Sequence, residues 1–274
     1  MRSAVRNAIF SMSAAIAIIM GFCARADALP AYSRLYQGKY GYRAPCELCH
    51  TNGGGSAVND YGRDFLRAGA NLPAFGKIER KDSDGDGIEN LTEITGKANP
   101  GDPRSTPEKA GEWLANAGQV EVPTEDLKKI FPSADSFAAL EGSLKPAQVT
   151  SVVKAVGATL SDEDRLPTFY FAIKGGKRFA VAQYVSIQTK AGLTTLAVAM
   201  DTGGTVSGIK ILKNPAGKAI EDAAFLEQFR GKKRGDSLQI GKDLTAAGKE
   251  DDLSNQVALV VRKAVATINA VFAK

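Results

Sequence analysis

Residues 168–212 read TFYFAIKGGKRFAVAQYVSIQTKAGLTTLAVAMDTGGTVSGIKIL, and this stretch decides the fold of the C-terminal half. β-Branched and aromatic side chains dominate three runs, Thr168–Ile173, Arg178–Thr189 and Leu193–Asp201. Such residues fit a pleated, half-buried surface. Gly175-Gly176 and Ala191-Gly192 separate the runs as hairpin turns, and Thr202-Gly203-Gly204 leads into a fourth, Val206–Leu212. Four consecutive strands with tight connections predict an antiparallel meander. Outward from it, Glu125–Phe131, Pro146–Val156 and Glu221–Phe229 read as helices. A long terminal helix is expected from about Ser254, because Val257, Val261, Val265, Ile268 and Phe272 recur with a period of about 3.6. Residues 123–274 are therefore expected to form an α+β domain with helices against one sheet face.

Towards the N-terminus the composition changes. Pro103 to Pro107, followed by scattered Ala, Gly and Glu up to Pro123, predicts a linker over residues 106–122 with one short helix around Trp113. Residues 29–105 are expected to be a second, small and mostly helical domain. The chain begins with an address: Arg2 and Arg6, an apolar stretch including Ala14 to Met20, and Ala26-Asp27-Ala28 as a small-x-small cleavage pattern. The reading is a signal peptide over 1–28, cut after Ala28, and a periplasmic protein. The apolar run Ala8–Phe22 is shorter than the ~20 residues of a membrane span, so no span is expected after cleavage.

With 44% hydrophobic and 24% charged residues, the 274-residue chain is neither disordered nor collagen-like. The net charge of +5 is not gathered into any basic run, which argues against a nucleic-acid partner. Three Cys and one His exclude a disulfide framework, a Cys/His zinc site and a multi-histidine metal centre.

Cys23 leaves with the signal peptide, so the remaining cysteines stand together in Cys46-Glu47-Leu48-Cys49-His50. This spacing is that of c-type haem attachment: two residues between the thiols let one short turn reach both vinyl groups, and His50 falls under the iron. A redox dithiol does not call for the adjacent His, and half a zinc site lacks its other ligands. The sixth ligand stays open at this level. His50 is the only His and Met200 the only Met outside the signal peptide, so Met200 is a candidate, as are Asn59, Tyr61, a Lys, the new amino terminus, water or a partner protein. Tyr61, Phe65 and Leu66, at helical spacing, are candidates either for the haem wall or for ordinary helix core.

A second motif follows. Asp82-Ser83-Asp84-Gly85-Asp86-Gly87-Ile88-Glu89-Asn90-Leu91-Thr92-Glu93 fits the twelve-position calcium loop at every defined place. Ca2+ takes roughly six to eight oxygens. Here Asp82, Asp84, Asp86, the Ile88 carbonyl, Asn90 directly or through water, and Glu93 would supply them, with Gly87 permitting the sharp turn. Pro73–Lys81 makes no convincing entering helix, whereas Glu89–Thr95 reads as a short exiting one stopped by Gly96. A structural loop fits this better than a paired sensor.

From about Tyr32 to Asp102 these residues resemble small bacterial c-type haem domains that carry a thrombospondin type 3-like calcium loop. The resemblance rests on CELCH (46–50), NDYGRDF (59–65), DSDGDGIENLTE (82–93) and NPGDP (99–103). From about Lys128 to Ala273 the chain resembles the FMN-binding domain of the G subunit of the Rnf complex and the C subunit of the sodium-pumping quinone reductase. LKKIFPSA (127–134), VSGIKILKN (206–214), IEDAAFLEQFRGK (220–232), LQIGKDL (238–244) and VRKAV (261–265) carry it. In that family FMN is joined to the last Thr of an SGAT motif. Here a gapless alignment puts Asp251 at the acceptor position and a shifted one puts Gly248 there, and neither forms a Thr phosphoester. Lys249 stands among Glu250, Asp251 and Asp252, so the site is also too acidic to favour a phosphate.

The resemblances together imply an exported electron-transfer protein, a carrier rather than a catalyst, with haem c and Ca2+ as cofactors and a redox protein or membrane electron-transport complex as partner. They leave open whether the second domain binds FMN non-covalently or serves for docking. A haem-based sensor or ligand-binding protein with an open iron site is the alternative.

Overall fold

A computed structural model of the protein describes residues 29–272; the expected signal peptide and residues 273–274 lie outside them. The N-terminal part is built from short helices: α1 (Pro30–Tyr40), α2 (Asp60–Arg67), α3 (Leu72–Lys77) and α4 (Asn90–Thr95). Their inner faces share one aromatic core in which Tyr36, Tyr61, Phe65, Phe75, Ile78 and Ile94 are buried. Phe65 stacks on Phe75 at 4.4 Å between ring centroids, and Tyr36 meets Phe75 edge-on at 5.7 Å. The short helix expected around Trp113 is a 3-10 helix, Trp113–Asn116, pinned by the indole N–H donating to the Lys97 carbonyl at 2.8 Å.

Beyond it come α5 (Thr124–Ile130), β1 (Ser136–Glu141), α6 (Pro146–Val156), β2 (Thr168–Lys174), β3 (Lys177–Thr189), β4 (Gly192–Asp201), β5 (Val206–Lys213), α7 (Ala223–Glu227) and α8 (Asp251–Phe272). The five strands form one antiparallel sheet in sequence order. β2 to β5 are the meander expected from residues 168–212. β1 is an addition. Its Ala-Ala-Leu-Glu favours helix by propensity, but pairing with β2 from Ser136↔Ile173 to Glu141↔Thr168 makes it an edge strand. α8 starts one turn before Ser254, with Asp251 and Asp252 against the positive end of its dipole.

The two faces of the sheet separate by the two-residue period of a strand. Phe169, Phe171, Val181, Val185, Leu196, Val198 and Met200 face α8, where Val257, Val261, Val265 and Ile268 form the matching stripe. Each such side chain contributes about 1.5–3 kcal/mol when fully buried. Tyr170, Ala182, Tyr184, Ala197 and Ala199 face the other way and meet Leu127 and Phe131 of α5 and its flank. The helices therefore cover both faces, not one. The reason is visible in β4, which is buried continuously from Leu193 to Met200 where a one-sided strand would alternate.

Two arginines fasten the helical part to the sheet edge. The Arg34 guanidinium donates to the carbonyls of Gly142 (2.6 Å), Pro167 (3.2 Å) and Leu166. Arg43 holds Glu141 through both carboxylate oxygens, a bidentate pair in which the two side chains are less than one-fifth exposed. Among the described residues no helix is long and apolar enough to cross a membrane.

Candidate functional site

Cys46–Leu48 is a 3-10 turn, closed by the Cys49 and His50 amides donating to the Cys46 carbonyl at 3.1 and 3.0 Å. One turn thus carries both thiols and the imidazole. The chain then returns through Gly53-Gly54-Gly55, and the Thr51 amide donates to the Ala57 carbonyl at 2.9 Å. That return brings the Ser56 carbonyl to 2.9 Å from His50 Nδ1. A carbonyl only accepts, so Nδ1 carries the proton and Nε2 is the basic nitrogen, the arrangement that fixes a metal-binding imidazole. His50 is 8% exposed, and burial lowers its pKa, opposed by the bond to Ser56. Its neutral, ligating form is favoured.

Asn59 holds this turn from below. As N-cap of α2 its Oδ1 accepts from the Gly62 amide at 2.8 Å, and its Nδ2 donates to the carbonyls of Glu47 and Leu48, both at 3.1 Å. Asn99 adds a second bond to the Glu47 carbonyl at 3.1 Å. Gly62 lets the helix come this close, since a Cβ there would lie 2.3 Å from the Cys49 carbonyl oxygen. Gly62→Ala is expected to cost about 1–3 kcal/mol by overpacking and to displace the Cys49 backbone. A urea midpoint equal to that of the parent would show that α2 does not brace the turn.

Both thiols and His50 line one cavity of about 590 Å³. Tyr32, Phe65 and Leu66 close it from the helical part, and Tyr170, Tyr184 and Leu193 close it from the sheet. Residues 119–126 also line it, so the end of the expected linker crosses the cavity wall instead of hanging between domains. Glu121 in this segment accepts from the Gly54 amide at 3.1 Å. Burial, with Glu121 and Glu47 adding to it, pushes the Cys46 thiol up to about 11; burial and then Cys46 push Cys49 up to about 12. An apolar, aromatic cavity of this size beside two protonated thiols and an oriented imidazole fits a haem.

The other expected ligands are placed differently. Met200 is 0% exposed and packs with Val181 and Val206 against α8, on the face of β4 opposite the cavity-lining Thr195. Strand alternation alone puts the sheet between Met200 and His50. Asn59 is spent on backbone groups, and Tyr61 lies in the helical core outside the cavity wall. Phe65 and Leu66 do line it. Gly248 and Asp251 are exposed at the start of α8 and line no part of the cavity. With Glu250, Asp251 and Asp252 together at that helix end, the residues do not fit an FMN phosphate. The sequence reading names a Lys without choosing Lys213 and gives no role to Asn99, Glu121, Tyr170, Tyr184 or Thr195, because these residues come from distant segments of the chain.

The acidic loop has the geometry of a cation site. Carboxylate oxygens of Asp82, Asp84 and Asp86 lie within 4.8 Å of one another. Asp82 takes the Gly85 and Gly87 amides at 2.8 and 2.9 Å, and Asp86 takes the Ile88 amide at 2.8 Å; Gly87 has φ +93°, a left-handed backbone. Glu93, in α4, is 0% exposed and both its oxygens lack a partner, as do the second oxygens of Asp84 and Asp86. Burial and the three aspartates raise the Glu93 pKa to about 8. Three carboxylates with unpaired buried oxygens, Asp84, Asp86 and Glu93, beside a fourth, Asp82, are costly unless a cation is present, so the residues fit Ca2+. Asn90, the ninth loop residue, is held through its side chain. Its Nδ2 donates to the Ile78 carbonyl (2.7 Å) and Ser83 Oγ (2.9 Å), and its Oδ1 accepts from the Ser83 amide (3.1 Å). It ties the start of the loop to the end of the preceding segment. The short α3 does precede the loop, ending at Lys77.

No protein-family model matches the chain, and no curated protein matches it.

Proposed function

We propose that this chain is an exported one-electron carrier that holds a haem c through Cys46, Cys49 and His50 and is stapled by Ca2+ in the Asp82–Glu93 loop. The observation that carries the reading is the single cavity joining both thiols to an imidazole whose Nδ1–H is already committed to the Ser56 carbonyl. A haem held there supplies a one-electron iron couple. The chain's own part is to hold and orient it. The aromatic walls keep water out, the Ser56 bond fixes the imidazole, and Asn59 and Asn99 brace the attachment turn. The β-rich half acts in this reading as the second wall of the cavity and as the docking body towards a membrane redox complex in the periplasm, with no flavin of its own.

The test is the absorption spectrum, oxidised and dithionite-reduced, of protein made in an exporting host with c-type haem maturation. The expected result is a reversible haem spectrum with no bleachable flavin absorption. A colourless chain, or one carrying flavin, overturns the proposal. Carbon monoxide added to the reduced protein separates the sensor reading, which requires rapid binding coupled to a change in conformation.

A further inference from the structure

Resting on the haem reading above, we propose that Lys213 supplies the sixth iron ligand, so that the β-rich half completes the coordination sphere begun by His50.

The sheet is irregular at the place where this matters. Leu196 of β4 pairs with Ile211 of β5, but Thr195 pairs with Lys213, leaving Leu212 as an extra residue. In an unbroken ladder Leu212 would oppose Thr195, and Lys213 would share the α8 face with Ile209 and Ile211. The bulge turns Lys213 to the face of Thr195 instead, and both line the cavity that holds His50. Bulges commonly re-aim one side chain beside a functional site.

Lys213 is half-buried and lines the cavity wall. Among the described residues no carboxylate lies within ion-pair distance of it and no hydrogen bond engages it. Its register neighbour Thr195 is 0% exposed with an unpartnered hydroxyl. Lys213 and His50 line the same cavity. Three rival donors are elsewhere: Met200 is behind the sheet, Asn59 is bound to backbone, and Tyr61 is in the helical core; Leu29, which becomes the amino terminus on the expected cleavage, lines the cavity and is the rival that K213A tests. A lysine coordinates through its nitrogen lone pair after releasing one proton to solvent, which forms one Fe–N bond and changes no oxidation state.

The experiment compares matured wild type, K213A and K213M by mass, electron paramagnetic resonance and potentiometry of the ferric protein. Lys213 is the half-buried last residue of β5 and makes no ion pair among the described residues, so both variants should fold. Wild type is expected to be low-spin, K213A to lose the low-spin signal while keeping its covalent haem mass, and K213M to stay low-spin at a higher potential, because Met ligation raises it. A high-spin wild type, or a K213A signal identical to wild type, overturns the assignment while the haem reading stands. A chain without covalent haem overturns both.

Discussion

A chain with Cys46 and Cys49 both changed to serine, matured in the same host, is expected to lose its covalent haem completely. Each single variant should keep one thioether and a weaker, shifted spectrum. The expectation follows from the turn itself: one 3-10 turn places both thiols and His50 on the same cavity, and no other cysteine is among the described residues. The double substitution removes little packing, because serine is nearly isosteric and the turn's amide bonds to the Cys46 carbonyl do not involve sulfur. Its effect should therefore fall on the cofactor and leave the fold. His50→Ala is the companion, expected to abolish the low-spin spectrum. Denaturing gels stained for haem peroxidase activity and intact mass together read the outcome. Haem staining equal to wild type in the double variant would refute covalent attachment at this turn, and a dithiol would instead show the double variant losing only thiol titration.

Removing calcium should have the next largest effect. At about a hundredfold excess over its dissociation constant a cation bound only by the folded chain contributes about 2.7 kcal/mol. For a chain of this size that is a fall in Tm of about 5–11 °C on chelation. Glu93 sets the pH dependence. Its carboxyl in the cation-free fold titrates near 8, far above its ordinary value, because it is buried beside Asp84, Asp86 and Asp82. A raised folded pKa contributes stability that is present below the unfolded value and lost as pH rises through the folded one. The cation-free protein should thus weaken between about pH 4.5 and 8, and the gain from Ca2+ should grow over the same window, since the cation and the proton compete for Glu93. Glu93→Gln should cross over: more stable than wild type in chelator at pH 8, and indifferent to Ca2+. Melting curves in chelator and in excess Ca2+, at pH 6 and pH 8, provide the check. A wild type unmoved by Ca2+ at both values would mean that the four carboxylates do not form a cation site.

The legibility of the chain was uneven for physical reasons. Residues 168–212 could be read as strands because β-branched residues and glycine turns act locally, and β2 to β5 fall where those signals lie. β1 could not, since Ser136–Glu141 is made a strand by its neighbour β2 against its own propensity. Asn90 satisfies a ligand position of the calcium pattern, yet its three hydrogen bonds to Ile78 and Ser83 depend on how α3 and the loop meet. Met200 was singled out by counting methionines, and counting carries no information about the face of a sheet.

What the amino-acid order determined by itself is short-range: the turn Cys46–His50, the glycine-punctuated acidic loop, the hairpins and the apolar stripe of α8. Each depends on residues within a few positions of one another, where backbone sterics and side-chain periodicity act directly. Only the tertiary structure decided what surrounds them. It brought Tyr170, Tyr184, Thr195 and Lys213 to His50, wrapped residues 119–126 across the same cavity and put Met200 on the far side of the sheet. Those placements depend on strand register, on one bulged residue at Leu212 and on the packing of α2 and α5 against the sheet. A register shift of one residue reverses every face, so these relations arise only when distant segments meet.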